Sequence, residues 1–342
     1  MAVQSAPDFE TAAALPPIPG LRFRHFAGPT DYAQMNDVAN AQRESNDNHF
    51  ITPVDGFAAF YEAFDPVHCD KARDLFIVEI DGRIVGYSRT EWYEEPDRTR
   101  LHSVVCFLHP DWRRRGIGRA MLATIEARAT QVAAANPTSA EALFQANSDD
   151  DPGQEALFRE AGYVAVRHGY EMVRPNLDPV IDAPVPDGLE IRPVREEHLR
   201  QIWDAAIEAF HDEWGFHVPS EGDYEAWLAD PLQADRALWR IAWDGDEVAG
   251  QVRGFINADE NERFGLQRGW VENISVRRPW RKRGLARALI ASTIDGLRER
   301  GMTEGALGVD TENLSGALRL YQSVGFQPVS RSSLYRKPIP TA

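Results

Sequence analysis

The chain repeats itself, and the repeat limits what it can fold into more than any other feature. Trp112-Arg113-Arg114-Arg115-Gly116-Ile117-Gly118-Arg119-Ala120 stands 168 positions before Trp280-Arg281-Lys282-Arg283-Gly284-Leu285-Ala286-Arg287-Ala288. Leu21-Arg22-Phe23-Arg24 precedes Leu189-Glu190-Ile191-Arg192 by the same interval. Apolar runs flank Asp81-Gly82 and again Asp244-Gly245, the signature of a β-hairpin. Leu157 to Tyr163, with Gly162, matches Leu320 to Phe326, with Gly325. Four matches in one order describe a tandem duplication of one mixed α/β domain. The 342 residues suit two domains of about 150 residues each.

Proline marks the boundaries. Residues 1–20, rich in Ala and Pro, read as a flexible N-terminal arm. Pro175, Pro179, Pro184 and Pro186 disfavour helix and ladder alike, so 176–186 reads as an extended linker. The first domain then spans 21–175 and the second 187–342.

The formal charge of −16 opposes a nucleic-acid or acidic-membrane binder, because both need a broad basic surface. Cys69 and Cys106 are the only cysteines, too few for a disulfide framework or a four-cysteine zinc site, and no metal is expected. No run approaches 18 apolar residues and the first 20 lack a basic start, so the expectation is a cytoplasmic protein.

In each half an apolar strand (Val104 to Leu108; Glu272 to Val276) enters the Arg-Gly turn, and a helix follows. Leu122, Ile125, Ala129 and Val132 carry the helical spacing in one half, Leu289, Thr293, Ile294 and Leu297 in the other. Such a turn gathers free backbone N–H groups at the positive end of a helix dipole, which suits a phosphate. Gly116 and Gly284 admit the left-handed conformation and leave room for the anion. A single basic run is ordinarily a solvated helix start; the same run twice, at one place in the repeat, is better read as a cradle. No Gly-x-x-x-x-Gly-Lys-Ser/Thr element exists and Gly116-x-Gly118 lacks a third glycine, so ATP and dinucleotide readings are weak.

Arg-x-x-Gly-x-Gly/Ala after such a strand resembles the pyrophosphate-binding signature of the GNAT superfamily of acetyl-CoA-dependent N-acetyltransferases. Asn313, Ala317, Leu320-Tyr321 and Gly325-Phe326 resemble that family's closing pattern. The two-domain layout is similar to that of the mycothiol synthase family. The resemblance implies acetyl-CoA as cofactor, with the backbone of Ile274, Ser275 and Val276 along its arm and Asn313 touching it. Arg281, Lys282, Arg283, Gly284, Leu285, Ala286 and Arg287 would wrap the diphosphate. Their counterparts in the first half are Phe107, Leu108, Arg113, Arg114, Arg115, Gly116, Ile117, Gly118 and Arg119.

Acetyl transfer to an amine needs a base for the nitrogen and a proton for the departing thiolate. A phenol with a pKa of roughly 10 can protonate a thiolate of roughly 8.5, and Tyr321 is that phenol. Glu272 is the candidate base, against the blander readings of a packing tyrosine and a surface glutamate. In the first half Phe158, Val104 and Asp150 stand where Tyr321, Glu272 and Asn313 do, so chemistry is expected in the second half. Asp212, Glu213 and Trp214 are candidate acceptor contacts, since carboxylates beside an aromatic suit an amine, with loop packing as the alternative. The expected partner is a small-molecule amine, and the protein a monomer or homodimer. Rival readings are acetylation of a small-thiol precursor and a non-catalytic acetyl-CoA-binding module.

Overall fold

The computed structural model describes residues 12–95, 98–138, 140–312 and 316–340. The first half of the chain runs β1 (Leu21–His25), α1 (Tyr32–Glu44), α2 (Val54–Glu62), α3 (Lys71–Asp74), β2 (Leu75–Ile80), β3 (Arg83–Arg89), β4 (Trp92–Glu94), β5 (Arg100–Ser103), β6 (Val105–Leu108), α4 (Ile117–Ala135), β7 (Ala142–Asp149), α5 (Pro152–Glu160) and β8 (Val164–Arg174). The second runs β9 (Glu190–Arg192), α6 (Leu199–Phe210), α7 (Glu221–Ala229), β10 (Trp239–Asp244), β11 (Glu247–Phe255), α8 (Ala258–Phe264), β12 (Arg268–Val276), α9 (Leu285–Glu299), β13 (Glu304–Asp310), α10 (Ala317–Ser323) and β14 (Gln327–Pro338). Apart from the short α3, β4 and α8, the second series repeats the first. The one difference in the strands is that β5 and β6 together answer to β12. The fold is mixed α/β, as the duplication predicts.

Two compact units form. One holds residues 1–48, 60–166 and 334–342; the other holds 49–59 and 167–333. The first half thus gives most of β8 to the second unit, and the second half gives the end of β14 to the first. In the first unit β1-β2-β3-β6 form a sheet, and β4, β5 and β7 are joined by the end of β14. Tyr335 there packs on Phe158, ring centroids 5.5 Å apart, within a core containing Phe144 and Tyr163. Of the N-terminal arm, residues 1–11 lie outside the described residues; Leu15 and Ile18 pack against the cluster of Phe23, Val85, Ile117 and Met121.

In the second unit the strand order is β14-β8-β13-β12-β11-β10-β9. Leu289, Thr293, Ile294 and Leu297 of α9 are all buried on one face of it. Truncating a fully buried leucine such as Leu297 to alanine would cost roughly 2–5 kcal/mol. Gly254 lets α9 approach: a Cβ there would lie 2.7 Å from Thr293 Cγ2 and 3.0 Å from the Leu238 carbonyl oxygen. That face is closed by helix. The opposite face of β11 and β12 carries the polar residues that follow.

Candidate active site

The two Arg-Gly turns have one backbone. Arg113 and Arg281 are extended (φ −65°, ψ 160° and φ −65°, ψ 159°), Arg114 and Lys282 share φ 60°, and Gly116 and Gly284 are left-handed with φ 84° and 86°. Each glycine precedes its helix, so the first N–H groups of α4 and α9, which lack intrahelical acceptors, face the turn. The cradles differ in what covers them. A Cβ at Gly284 would meet no atom of the described residues within 4 Å, whereas at Gly116 it would meet Pro16 Cβ at 3.6 Å. The open space at Gly284, a helix start and a left-handed Lys282 fit a diphosphate.

The basic side chains divide their work. Arg281 donates to the carbonyls of Val276 (2.9 Å) and Ala209 (2.8 Å) and to Asp212 (3.0 Å), so it braces the turn. Arg283 reaches the Asp187 carbonyl at 2.9 Å, and Arg287 the Ser323 hydroxyl at 3.0 Å. In the first unit Arg113 holds Asp151 at 3.0 Å, Arg119 holds Glu160 at 2.7 Å and Arg115 lies over the Trp112 ring.

The strand feeding the second turn is irregular where the chemistry is expected. In the β11–β12 ladder Gln251 pairs with Ser275 but Arg253 pairs with Glu272, so two β12 residues oppose Val252 alone. Asn273 relieves this bulge with φ 51°. On the other edge, parallel pairing of β12 with β13 covers Arg268 to Trp270 and ends there. Past Trp270 a seam opens, bordered by the backbone of Ile274 to Val276. In the first unit the same break is complete: β5 pairs with β7, β6 pairs with β3, and buried Val104 separates them.

Glu272 stands in the seam. Its Oε1 accepts the Gly308 N–H at 2.9 Å. Desolvation raises its pKa to about 7, against the N–H groups of Gly308 and Asn273 and the charge of Arg253, with Glu171 adding to the rise. Tyr321, on α10, is 6% exposed, and its hydroxyl hydrogen-bonds to no described residue. Burial first, then the charges of Glu272 and Glu213, push its pKa upward. Its carbonyl accepts the Val324 and Phe326 N–H groups, a turn made possible by Gly325 at φ 92°. Phe158 takes the corresponding place in the first unit, 1% exposed. Asn313 lies outside the described residues.

The loop after α6 separates the three acceptor candidates. Asp212 accepts from Arg278 (2.7 Å) and Arg281, which hold its carboxyl down to about 2. It belongs to the bracing of the second Arg-Gly turn. Glu213 is near enough to Tyr321 to bear on its ionisation. Trp214 is 40% exposed with the Arg167 guanidinium 5.0 Å from its ring centroid.

One residue escaped the sequence reading. Arg253, 8% exposed, lies between Trp239 and Glu272 in one cross-strand row, its guanidinium carbon 5.0 Å from the Trp227 ring centroid. A signal existed: Gly86-Tyr87-Ser88-Arg89 and Gly250-Gln251-Val252-Arg253 repeat Gly-x-x-Arg within the hairpin.

Comparison with known proteins defines the class. Residues 199–326 match the acetyltransferase (GNAT) family, and residues 71–165 match an acetyltransferase (GNAT) domain. The chain belongs to the GNAT family: it is an acetyltransferase of that type, with two such domains in tandem and acetyl-CoA as cofactor. Among its relatives are the mycothiol acetyltransferases of Salinispora arenicola, 30% identical over 90% of this chain and 94% of that one, and Salinispora tropica, 32% identical over 87% and 92%. The fold resembles a GCN5-related N-acetyltransferase from Sphaerobacter thermophilus, with a TM-score of 0.67, 24% identity and coverage of 96% and 98%. It also resembles a tandem GNAT protein from the clavulanic acid biosynthesis pathway, with a TM-score of 0.65, 18% identity and coverage of 94% and 99%. No helix among the described residues is long and apolar enough to cross a membrane.

Proposed function

We propose that the second unit transfers the acetyl group of acetyl-CoA to a primary amine of a small molecule, with the first unit non-catalytic. The carrying observation is that buried Tyr321 lies near enough to Glu272 for that carboxylate to raise its pKa, against Val104 and Phe158 in the first unit. When bound, acetyl-CoA supplies an acetyl group activated as a thioester.

The chain's own residues account for the proton movements. Glu272, with a pKa near 7, is substantially ionised at neutral pH and takes the ammonium proton of the acceptor, directly or through water. Tyr321 keeps its proton through the working range because burial and two carboxylates oppose the phenolate, and it gives that proton to the leaving sulfur. The N–H groups of the Ile274 to Val276 stretch line the open seam for the cofactor arm. Lys282, Arg283, Gly284, Leu285, Ala286 and Arg287 hold the diphosphate, and Arg281 keeps the turn in shape.

A second reading follows the names of the Salinispora relatives: the acceptor amine belongs to a mycothiol precursor. A non-catalytic acetyl-CoA-binding module has no use for an acid and a base within electrostatic reach of each other. The test is thiol release from acetyl-CoA across a panel of amines that includes such a precursor, with Glu272→Gln and Tyr321→Phe in parallel. Amine-dependent release that both variants abolish supports the proposal. Release unaffected by either variant overturns it, and preference for the thiol precursor selects the second reading.

A further inference from the structure

The duplication supplies an internal comparison for Arg253. Arg89 and Arg253 occupy the same hairpin position, both are buried, and both lie against aromatic rings, Arg89 with its guanidinium carbon 4.3 Å from the Phe64 centroid. Their charge partners differ. Arg89 Nη1 has the carboxylate of Glu91 at 2.8 Å as an ion pair, although its Nε and Nη1 form no hydrogen bond among the described residues. Two residues beyond Arg253 the chain has Phe255, and the Arg253 side chain forms no hydrogen bond or ion pair with any described residue. Its Nε and Nη1 are buried and unpartnered.

A buried guanidinium with idle donors is expensive to keep. Burial lowers its pKa to about 10, with Glu272 and Asp230 acting the other way from a distance. The first unit balances the corresponding charge with its own carboxylate, Glu91. In the second unit that carboxylate is missing, and the vacancy lies in the row that contains Glu272. Arg253 and Glu272 are directly opposed in the ladder, so their side chains share one face of the sheet, and each bears on the other's ionisation. A group held by Arg253 therefore lies on the same face as an amine held at Glu272.

We infer that Arg253 binds a carboxylate of the acceptor, and that the acceptors of this enzyme are α-amino acids or short peptides with a free carboxylate near the reacting amine. The inference rests on the proposed acetyl transfer in the second unit. Trp227 and Trp239 keep water from the guanidinium on its far side, and the planar fork of arginine matches a carboxylate in a way a lysine does not.

The experiment compares matched acceptors: L-alanine with L-alaninamide, L-phenylalanine with L-phenylalaninamide, and glycylglycine with glycylglycinamide. kcat/KM is measured on wild type, Arg253→Met and Arg253→Lys, with thermal melting to show that each variant folds. Calorimetry follows binding of the same acids to protein saturated with coenzyme A. A charge-assisted hydrogen bond predicts that wild type prefers the carboxylate member by about 10- to 100-fold. Arg253→Met should erase the ratio between each acid and its amide at every pH tested, since any change in Glu272 ionisation affects both members alike, and Arg253→Lys should restore part of it. A preference for the amides, or one that survives in Arg253→Met, overturns the inference and leaves acetyl transfer standing. Carboxylate binding that depends on Arg253 without turnover of any pair keeps the site and removes the transfer reading. Absence of both turnover and binding for every carboxylate overturns the site itself.

Discussion

The Gly308 N–H donates to Glu272 Oε1 at 2.9 Å across the seam where β12 and β13 have ceased to pair. The contact replaces a ladder bond with a side-chain bond. With the Asn273 N–H it holds the carboxyl in place. Ladder pairing continued past Trp270 would have closed the gap between β12 and β13.

Glu272→Gln should lower kcat by roughly 10²–10⁴-fold, the usual worth of a general base. Wild-type kcat should rise with pH through about 7 as Glu272 ionises, a limb the variant lacks. Stability supplies a second readout. The folded-state pKa is raised above the unfolded value, so the contribution is present below about pH 4.5 and lost as pH rises through 7. Glutamine escapes that loss, so the variant should be more stable than wild type at pH 8, by up to about 3 kcal/mol, and equal to it near pH 4. Denaturant melts at the two pH values check this. A variant less stable at pH 8 would contradict the assigned direction.

Tyr321→Phe should cut kcat by about 10²–10⁴-fold with little change in acetyl-CoA affinity. A hydroxyl that donates only as the thiolate leaves stabilises the transition state and not the bound cofactor. The ring stays buried and loses no hydrogen bond to the described residues, so the melting temperature should hold. Full activity with chemistry rate-limiting would reduce Tyr321 to packing.

Much of this was legible in the sequence because it is local. A turn that needs a left-handed Gly284, a helix that needs Leu289 and Ile294 on one face, and a hairpin through Asp81-Gly82 are each written in a few adjacent residues. The closing Tyr321 is legible for the same reason. The exchange of Arg167–Arg174 against Leu334–Ala342 is not, because continuous strands carry the chain from unit to unit without a turn residue to mark it. The break at Val104 and the bulge at Asn273 depend on which neighbour each strand keeps. Asp212 looked like an acceptor contact by its neighbours in sequence; its partners Arg278 and Arg281 are more than 60 residues away and tie it to the turn. Arg253 needed the same long-range view, since an idle arginine differs from a paired one only by what the fold brings to it.

Asp212→Ala should therefore act on the cofactor and not on the acceptor. The exposed pair it breaks is worth little, so the acetyl-CoA KM should rise by no more than about fivefold. The acceptor KM should not move, and because the carboxyl titrates near 2 the pH profile above 4 should not move either. An acceptor KM raised tenfold would return Asp212 to the substrate site.

The two cofactor turns can be separated by one substitution made in each. Gly284→Asp puts a side chain into a left-handed position and a negative charge where the proposed diphosphate would lie, so coenzyme binding and turnover should both be lost. Gly116→Asp suffers the same backbone strain, of order 1–3 kcal/mol, but its side chain meets Pro16 of the arm already lying over that turn. With the first cradle covered by the chain itself, and Val104 and Phe158 in place of base and acid, the loss there should appear as lowered melting temperature with kcat retained in the folded fraction. Calorimetry with coenzyme A should count one site in wild type, one in Gly116→Asp and none in Gly284→Asp. Trimming the arm through Pro16 should not create catalysis in the first unit, though it can uncover a second, weaker coenzyme site. If Gly116→Asp silences a folded enzyme while Gly284→Asp remains active, the chemistry belongs to the first unit and the roles given to Glu272 and Tyr321 fall with it.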